Sequence, residues 1–225
     1  MKPCARGAGS APQYVPQNPS QEVICVADTG ILIVGVGGQG TLLSSRILGE
    51  VALRSGLDVK VSEVHGMAQR GGSVVTHVRF GEKIYSPLVG MGQADFILAF
   101  EKLEALRWAG YLKKGGIIIS NAQEIPPIPV TMGYQKYPEN INGTLADIAT
   151  TCMVDAGKIA SDCGSAKAVN VVLLGVLASR LDFEKELWLK IIEETVPPKT
   201  VEINKEAFKR GYEAILEKRE IRYKN

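Results

Sequence analysis

The chain has 225 residues, of which 45% are hydrophobic and 22% are charged, and its formal net charge is +2. These values suit one soluble α/β domain with a sizeable core, and the small charge argues against a nucleic-acid surface. No apolar run approaches the roughly 20 residues that span a bilayer, and the first residues lack the apolar centre of a signal peptide. We therefore expect neither nucleic acid nor a membrane as a partner.

The sequence opens on residues 1–29, which are rich in Gly, Ala, Pro, Gln and Ser and show little hydrophobic periodicity. This composition predicts a disordered N-terminal extension, with the folded domain covering residues 30–225.

The first predicted element is a strand at residues 31–34, four apolar residues without polar alternation, as in a parallel sheet covered on both faces. A glycine loop in G-x-G-x-x-G spacing follows, formed by Gly35, Gly37, Gly38, Gln39 and Gly40, and a helix comes next. Glycines permit a sharp turn, and a helix N-terminus offers free N–H groups to a phosphate or carboxylate. The spacing is typical of a Rossmann-like domain, and a purely structural turn fits it equally well.

The next predicted strand covers residues 57–64, and a second glycine-rich segment follows it. It begins at His65 and ends with Arg70, Gly71 and Gly72. Glycines beside an arginine let the backbone come close to an anion that the guanidinium holds, so the segment is a candidate anion-binding loop. The alternative interpretation is an ordinary surface loop.

An acid stands just before this segment. Glu63 lies 23 residues beyond Gly40, near the position of the ribose-binding acid in dinucleotide-binding domains. We interpret Glu63 as a strand-end acid facing water, because another glycine-rich segment follows it at once.

Further strands are predicted at residues 73–80, 94–100, 117–121 and 152–155, with a return hairpin at 84–87 and a helix at 102–113. Three helices are predicted near the C-terminus: an apolar one at 166–178, one capped by Asp182 and one beginning at Asn204. Within the apolar helix, Asn170 is interpreted as a satisfied core amide. The alternation predicts an α/β fold, a Rossmann-like three-layer domain with a mainly parallel sheet and C-terminal helices.

Four cysteines occur singly, at positions 4, 25, 152 and 163, and no C-x-x-C pair is present. The sequence therefore predicts no metal site and no iron–sulfur cluster on this chain. Scattered cysteines are typical of reduced thiols, so a cytoplasmic location is expected.

Four stretches together resemble one family closely. They are GVGGQG at residues 35–40, SRILGE at 45–50, SEVHGMAQRGGSV at 62–74 and AVNVVLLG at 168–175. The family is that of the small (beta) subunits of indolepyruvate:ferredoxin oxidoreductases, which are related to the gamma subunits of other 2-oxoacid:ferredoxin oxidoreductases. The resemblance covers residues 30–195.

The resemblance implies a subunit of an enzyme that decarboxylates a 2-oxoacid, passes electrons to ferredoxin and releases an acyl-CoA. It implies that thiamine diphosphate and 4Fe-4S clusters lie on the large (alpha) partner subunit, and that CoA is a substrate. The chain has neither a Gly-Asp-Gly motif nor clustered cysteines, as this division of labour requires. We assign no catalytic residue to this chain, and we expect the two glycine-rich segments to contact a ligand or the partner.

Three alternatives remain open from the sequence: a stand-alone NAD(P)-binding Rossmann oxidoreductase, a gamma subunit of a pyruvate or 2-oxoisovalerate enzyme, and a pure assembly module. A stand-alone enzyme should bind its nucleotide without help, whereas a subunit should be inactive until its partner is added.

Removal of residues 1–28 should leave folding and partner binding intact, because the segment lacks the apolar periodicity needed to join a core. The melting temperature of the truncated chain and its co-purification with the large subunit check this. A large fall in melting temperature, or loss of the complex, would contradict the prediction.

Overall fold

The computed structural model describes residues 28–65 and 72–214. Its strands are β1 (Thr29–Val36), β2 (Asp58–His65), β3 (Ser73–Gly81), β4 (Ala94–Ala99), β5 (Leu112–Asn121) and β6 (Thr150–Val154). Its helices are α1 (Thr41–Arg54), α2 (Lys102–Trp108), α3 (Ile128–Thr131), α4 (Ile141–Ile148), α5 (Ala156–Asp162), α6 (Val169–Ala178), α7 (Lys185–Thr195) and α8 (Val201–Glu213). None of these helices combines the length and apolar composition that a membrane crossing requires.

The strands form one sheet in the order β2-β3-β1-β4-β5-β6. β1, β4, β5 and β6 are parallel, whereas β3 is antiparallel to both β1 and β2. The predicted α/β fold with a mainly parallel sheet is confirmed. β3 lies between β1 and β2, so β2 stands one strand further from β1 than in the Rossmann order, where the first two strands are neighbours.

Helices cover both faces of the sheet and so make three layers. On one face, α1, α5, α6, α7 and α8 pack around a core that contains Trp188 and Phe208. On the other face, α2 and α4 cover a smaller core built on Leu32, Val34 and Ile97. From Asn170 to Ala178 every residue of α6 is buried, which confirms the prediction of an apolar helix inside the domain.

The closest helix contact is a crossing of α6 and α8 through two glycines. A Cβ atom on Gly175 would lie 2.2 Å from the carbonyl oxygen of Phe208, and one on Gly211 would lie 2.0 Å from that of Val172. Both distances are far inside van der Waals contact with backbone atoms. Only glycine at both positions lets the two backbones approach this closely.

Several element boundaries differ from the sequence-based predictions. The helix from Lys102 ends at Trp108 instead of Lys113, because Leu112 already pairs with Ala94 in the sheet. No strand forms at residues 84–87, so the predicted hairpin is wrong. Two further predictions were displaced by a few residues: α7 is capped by Glu184 instead of Asp182, and α8 begins at Val201 instead of Asn204.

A buried histidine fixes the segment that leads from β3 to β4. His77 is 7% exposed, and its Nδ1 atom accepts a hydrogen bond of 3.1 Å from the backbone N–H of Val89. Burial lowers the pKa of His77 below its usual value because the protonated ring would be poorly solvated. Protonation would also remove the acceptor that Val89 uses.

The His77 pKa shift predicts how stability depends on pH. The unfolded chain takes up a proton at this histidine near pH 6.5, whereas the folded chain does so only at lower pH. The stabilisation is therefore fully present above about pH 6.5 and is lost as the pH falls through the folded-state pKa. Urea unfolding at a series of pH values measures this, with His77→Asn as control because its amide oxygen accepts without titrating. An identical pH dependence in both proteins would contradict the assignment.

Candidate functional site

The glycine loop between β1 and α1 depends on glycine for its conformation. Gly38 and Gly40 have φ angles of 100° and 87°, which side chains rarely adopt. A Cβ atom on Gly40 would also lie 3.1 Å from the amide nitrogen of Asn170, and one on Gly35 would lie 2.8 Å from Oε1 of Gln39. The loop is thus closed tightly against α6 and against its own side chain.

Gln39 ties the loop to the carboxyl ends of two strands. Its Oε1 accepts from the backbone N–H of Val36 at 2.7 Å, and its Nε2 donates to the carbonyl of Phe100 at 3.2 Å and to Oε1 of Gln123 at 3.3 Å. The buried amide of Asn121 donates to the same carbonyl. The side chain of Gln39 therefore positions the loop through internal hydrogen bonds.

The structure brings the two glycine-rich segments together. The N–H of Gly37 donates to the carbonyl of Gly72 at 2.9 Å. The next residue, Ser73, donates its hydroxyl to the carboxylate of Glu104, which is 4% exposed and also accepts from Nε of Arg107 at 3.2 Å. The start of β3 is thereby fixed beside the glycine loop.

Arg70, Gly71 and the side chain of His65 lie outside the described residues; the backbone of His65 ends β2 opposite Val74. Glu63 accepts a hydrogen bond of 3.2 Å from Thr76 and lies on β2, which β3 separates from β1. Since neighbouring strands are about 4.8 Å apart, Glu63 stands one strand spacing beyond the usual place of a ribose-binding acid.

A cleft of about 640 Å³ opens at the first turn of α1. Its walls are the glycine loop, the start of α6 and the segment that enters α8. Gly40 caps α1 without a side-chain hydrogen bond, and the first turn contains no acidic residue. The positive end of a 14-residue helix therefore borders a cavity large enough for part of an organic anion.

Asn170 is the polar side chain that sequence reasoning misread. It lines the cleft and is 4% exposed, yet its amide has no hydrogen-bond partner among the described residues, so the prediction of a satisfied core amide is wrong. The amide of Asn170 borders the open cleft, so a ligand bound there can accept hydrogen bonds from it and donate hydrogen bonds to it. The available signal was a lone amide in an otherwise apolar helix.

Metal binding has no candidate in the described part of the chain, where no three His, Cys, Asp or Glu side chains are grouped to hold an ion. The two thiols described there, Cys152 and Cys163, are free. Burial raises the pKa of Cys163, so this thiol stays protonated at neutral pH.

Comparison with known proteins identifies the family. The profile described as "Pyruvate ferredoxin/flavodoxin oxidoreductase" matches residues 30–214. The indolepyruvate oxidoreductase subunit IorB of Thermococcus kodakarensis is 46% identical over 193 residues, which are 83% of this chain and 96% of that protein.

Solved structures agree with this result. The gamma subunit of a keto/oxoacid ferredoxin oxidoreductase from Geobacter sulfurreducens is 26% identical, with a TM-score of 0.63 over 84% of this chain and 98% of that chain. The 2-oxoglutarate:ferredoxin oxidoreductase of Magnetococcus marinus shares the fold at 20% identity and a TM-score of 0.65, over 83% of this chain and 30% of that longer chain. The family that the four sequence stretches indicated is confirmed. The chain therefore belongs to the pyruvate ferredoxin/flavodoxin oxidoreductase family, as a small subunit related to IorB.

Proposed function

We propose that this small subunit completes an enzyme that oxidatively decarboxylates indolepyruvate or another aryl 2-oxoacid, yielding an acyl-CoA, CO₂ and reduced ferredoxin. The 46% identity to an indolepyruvate oxidoreductase subunit, over nearly all of that protein, supports the choice of substrate class. The partner is a large (alpha) subunit that carries thiamine diphosphate and the 4Fe-4S clusters. The scattered cysteines and the missing Gly-Asp-Gly motif support this division, and free thiols fit a cytoplasmic enzyme.

The cleft at the start of α1 is proposed to bind CoA. The observation that carries this proposal is the side-chain amide of Asn170, which borders the cleft without a hydrogen-bond partner among the described residues, beside a helix N-terminus that has no side-chain cap. Phosphate oxygens accept hydrogen bonds from free backbone N–H groups and gain from the helix dipole. The exposed Lys167 at the rim adds a cation, and apolar side chains such as Leu43 and Ile203 offer contact to the less polar parts of the molecule.

Of the alternatives, a stand-alone NAD(P) enzyme has the least support. The acid that would hold the ribose lies on β2, and β3 separates β2 from the strand that leads into the glycine loop. A gamma subunit of a pyruvate or 2-oxoisovalerate enzyme shares the fold and differs in substrate, so only a comparison of substrates separates it from the proposed function.

Co-expression with the large subunit tests the proposal. Reduction of a viologen dye should require both subunits and CoA, and kcat/KM should be higher for indolepyruvate than for pyruvate or 2-oxoisovalerate. Binding of NAD(P) by the chain alone, or a preference for pyruvate in the complex, would contradict it.

A further inference from the structure

The segment between β5 and α4 contains an arm that projects from the domain, residues 126–136. Its helix, α3, has no buried residue, and only Pro127 and Val130 of the whole arm are half-buried. A projecting segment without a core must either be held by its own bonds or vary in shape. The hydrogen bonds of this arm decide between the two.

The arm has internal hydrogen bonds that fix its shape. The carbonyl of Pro129 accepts from the N–H of Tyr134 at 2.8 Å and from that of Gln135 at 3.1 Å. The hydroxyl of Thr131 donates to the carbonyl of Pro127 at 3.3 Å. Three prolines in the segment restrict φ further. The arm is therefore preorganised, which lowers the entropy lost when it binds a partner.

Three large apolar side chains of the arm face solvent. Ile128 and Met132 are each 61% exposed, and Tyr134 is 75% exposed. Ile128 and Met132 are four residues apart across the helix end and so lie on one side of it. Clustered exposed apolar side chains on an ordered segment are typical of an interaction surface, and Tyr is among the residues that contribute most at such surfaces.

The position of the arm indicates what covers it. Gln123, three residues before the arm, lines the cleft and accepts the hydrogen bond from Gln39 of the glycine loop. Three residues span at most about 11 Å, so the arm starts at the rim of the candidate site. If CoA lies in the cleft, the large subunit must approach the carboxyl ends of the parallel strands to meet the reacting end of CoA. A partner that does so reaches the arm as well.

We propose that the arm is a docking element for the large subunit, which receives Ile128, Met132 and Tyr134 in an apolar pocket. This inference rests on the proposed function, because it takes the large subunit of the oxidoreductase as the occupant. A second copy of this chain and residues 1–27 of the same chain are the other possible occupants, and the experiment distinguishes all three.

The test compares two triple variants in the full chain. Ile128→Ser, Met132→Ser and Tyr134→Ser together alter the arm. Tyr85→Ser, Leu88→Ser and Met91→Ser together alter a matched set that is 84%, 55% and 72% exposed, on the loop between β3 and β4 at the opposite end of the strands. Both variants should keep the melting temperature of the wild type, since the altered side chains lie outside the core. Affinity for the tagged large subunit should fall by about 100-fold or more in the arm variant and stay unchanged in the control.

Photo-crosslinking identifies the occupant directly. A benzoylphenylalanine in place of Tyr134 should cross-link to the large subunit in the assembled complex. A cross-link to a second copy or to residues 1–27, or equal affinities for the arm variant and the wild type, would overturn the inference while the wild-type complex still oxidises indolepyruvate. If the wild-type pair neither assembles nor turns over a 2-oxoacid, the proposed function fails, and this inference with it.

Discussion

Replacement of Gly211 by alanine should destabilise the domain by about 3 kcal/mol or more, because the added Cβ atom would lie 2.0 Å from the carbonyl oxygen of Val172. That oxygen belongs to the backbone of α6, so no side-chain rotation can relieve the clash and the two helices must separate. For a domain of this size, the melting temperature should fall by about 6–12 °C or more. Gly175→Ala should lower the melting temperature by a similar amount, since its Cβ atom would lie 2.2 Å from the carbonyl oxygen of Phe208.

A glycine inside α1 provides the matched control. A Cβ atom on Gly49 would lie 3.7 Å from the side chains of Val59 and Val61, which is ordinary contact. Alanine is favoured over glycine inside a helix by about 0.5–1 kcal/mol, so Gly49→Ala should keep or raise the melting temperature. If Gly211→Ala were as stable as Gly49→Ala, the close crossing of α6 and α8 would be wrong.

Arg70→Ala should lower kcat/KM of the assembled enzyme by roughly 10- to 150-fold, the consequence of losing one charge-assisted contact of about 1.5–3 kcal/mol. We predict that this arginine presents a cation to the CoA phosphates or to the substrate carboxylate. The residue itself lies outside the described residues, but Gly72, two positions later, hydrogen-bonds to Gly37 of the glycine loop. The segment that carries Arg70 thus ends beside the candidate site.

The conservative variant and the complex itself provide the controls for Arg70. Arg70→Lys should recover only part of the activity, because an ammonium group cannot bind an anion through two parallel hydrogen bonds. The melting temperature of the complex should not change. If Arg70→Ala dissociates the subunits while the activity of each remaining complex is unchanged, the segment is an assembly contact and not a ligand contact.

The sequence predicted those parts of the fold that depend on local patterns. Residues 31–34 of β1 are a run of buried apolar residues, the glycine loop has spacing that predicts a turn before a helix, and α6 is apolar apart from Asn170. The place of β3 between β1 and β2 could not be predicted, since strand order depends on pairing between distant residues. The early end of α2 at Trp108 has the same cause, because pairing of Leu112 with Ala94 overrides helical periodicity.

The candidate site was predicted only in part for a similar reason. The glycines carry a recognisable spacing, whereas the state of Asn170 depends on which groups surround it after folding. Sequence reasoning takes a buried amide to be satisfied, as most are. The structure instead places Asn170 against Gly40 with its amide unpartnered at the cleft, and this exception is what points to a ligand.

If CoA binds in the cleft beside α1, a change at Asn170 should alter the affinity of the assembled enzyme for CoA. Asn170→Asp keeps the shape of the side chain but replaces the amide donor with a negative charge next to the proposed phosphate position. Titration calorimetry should show that CoA binds about 10- to 100-fold more weakly, because a hydrogen bond is lost and repulsion is added. Steady-state kinetics should show an unchanged KM for indolepyruvate. Unchanged CoA affinity, or an effect confined to indolepyruvate, would show that CoA does not bind in this cleft.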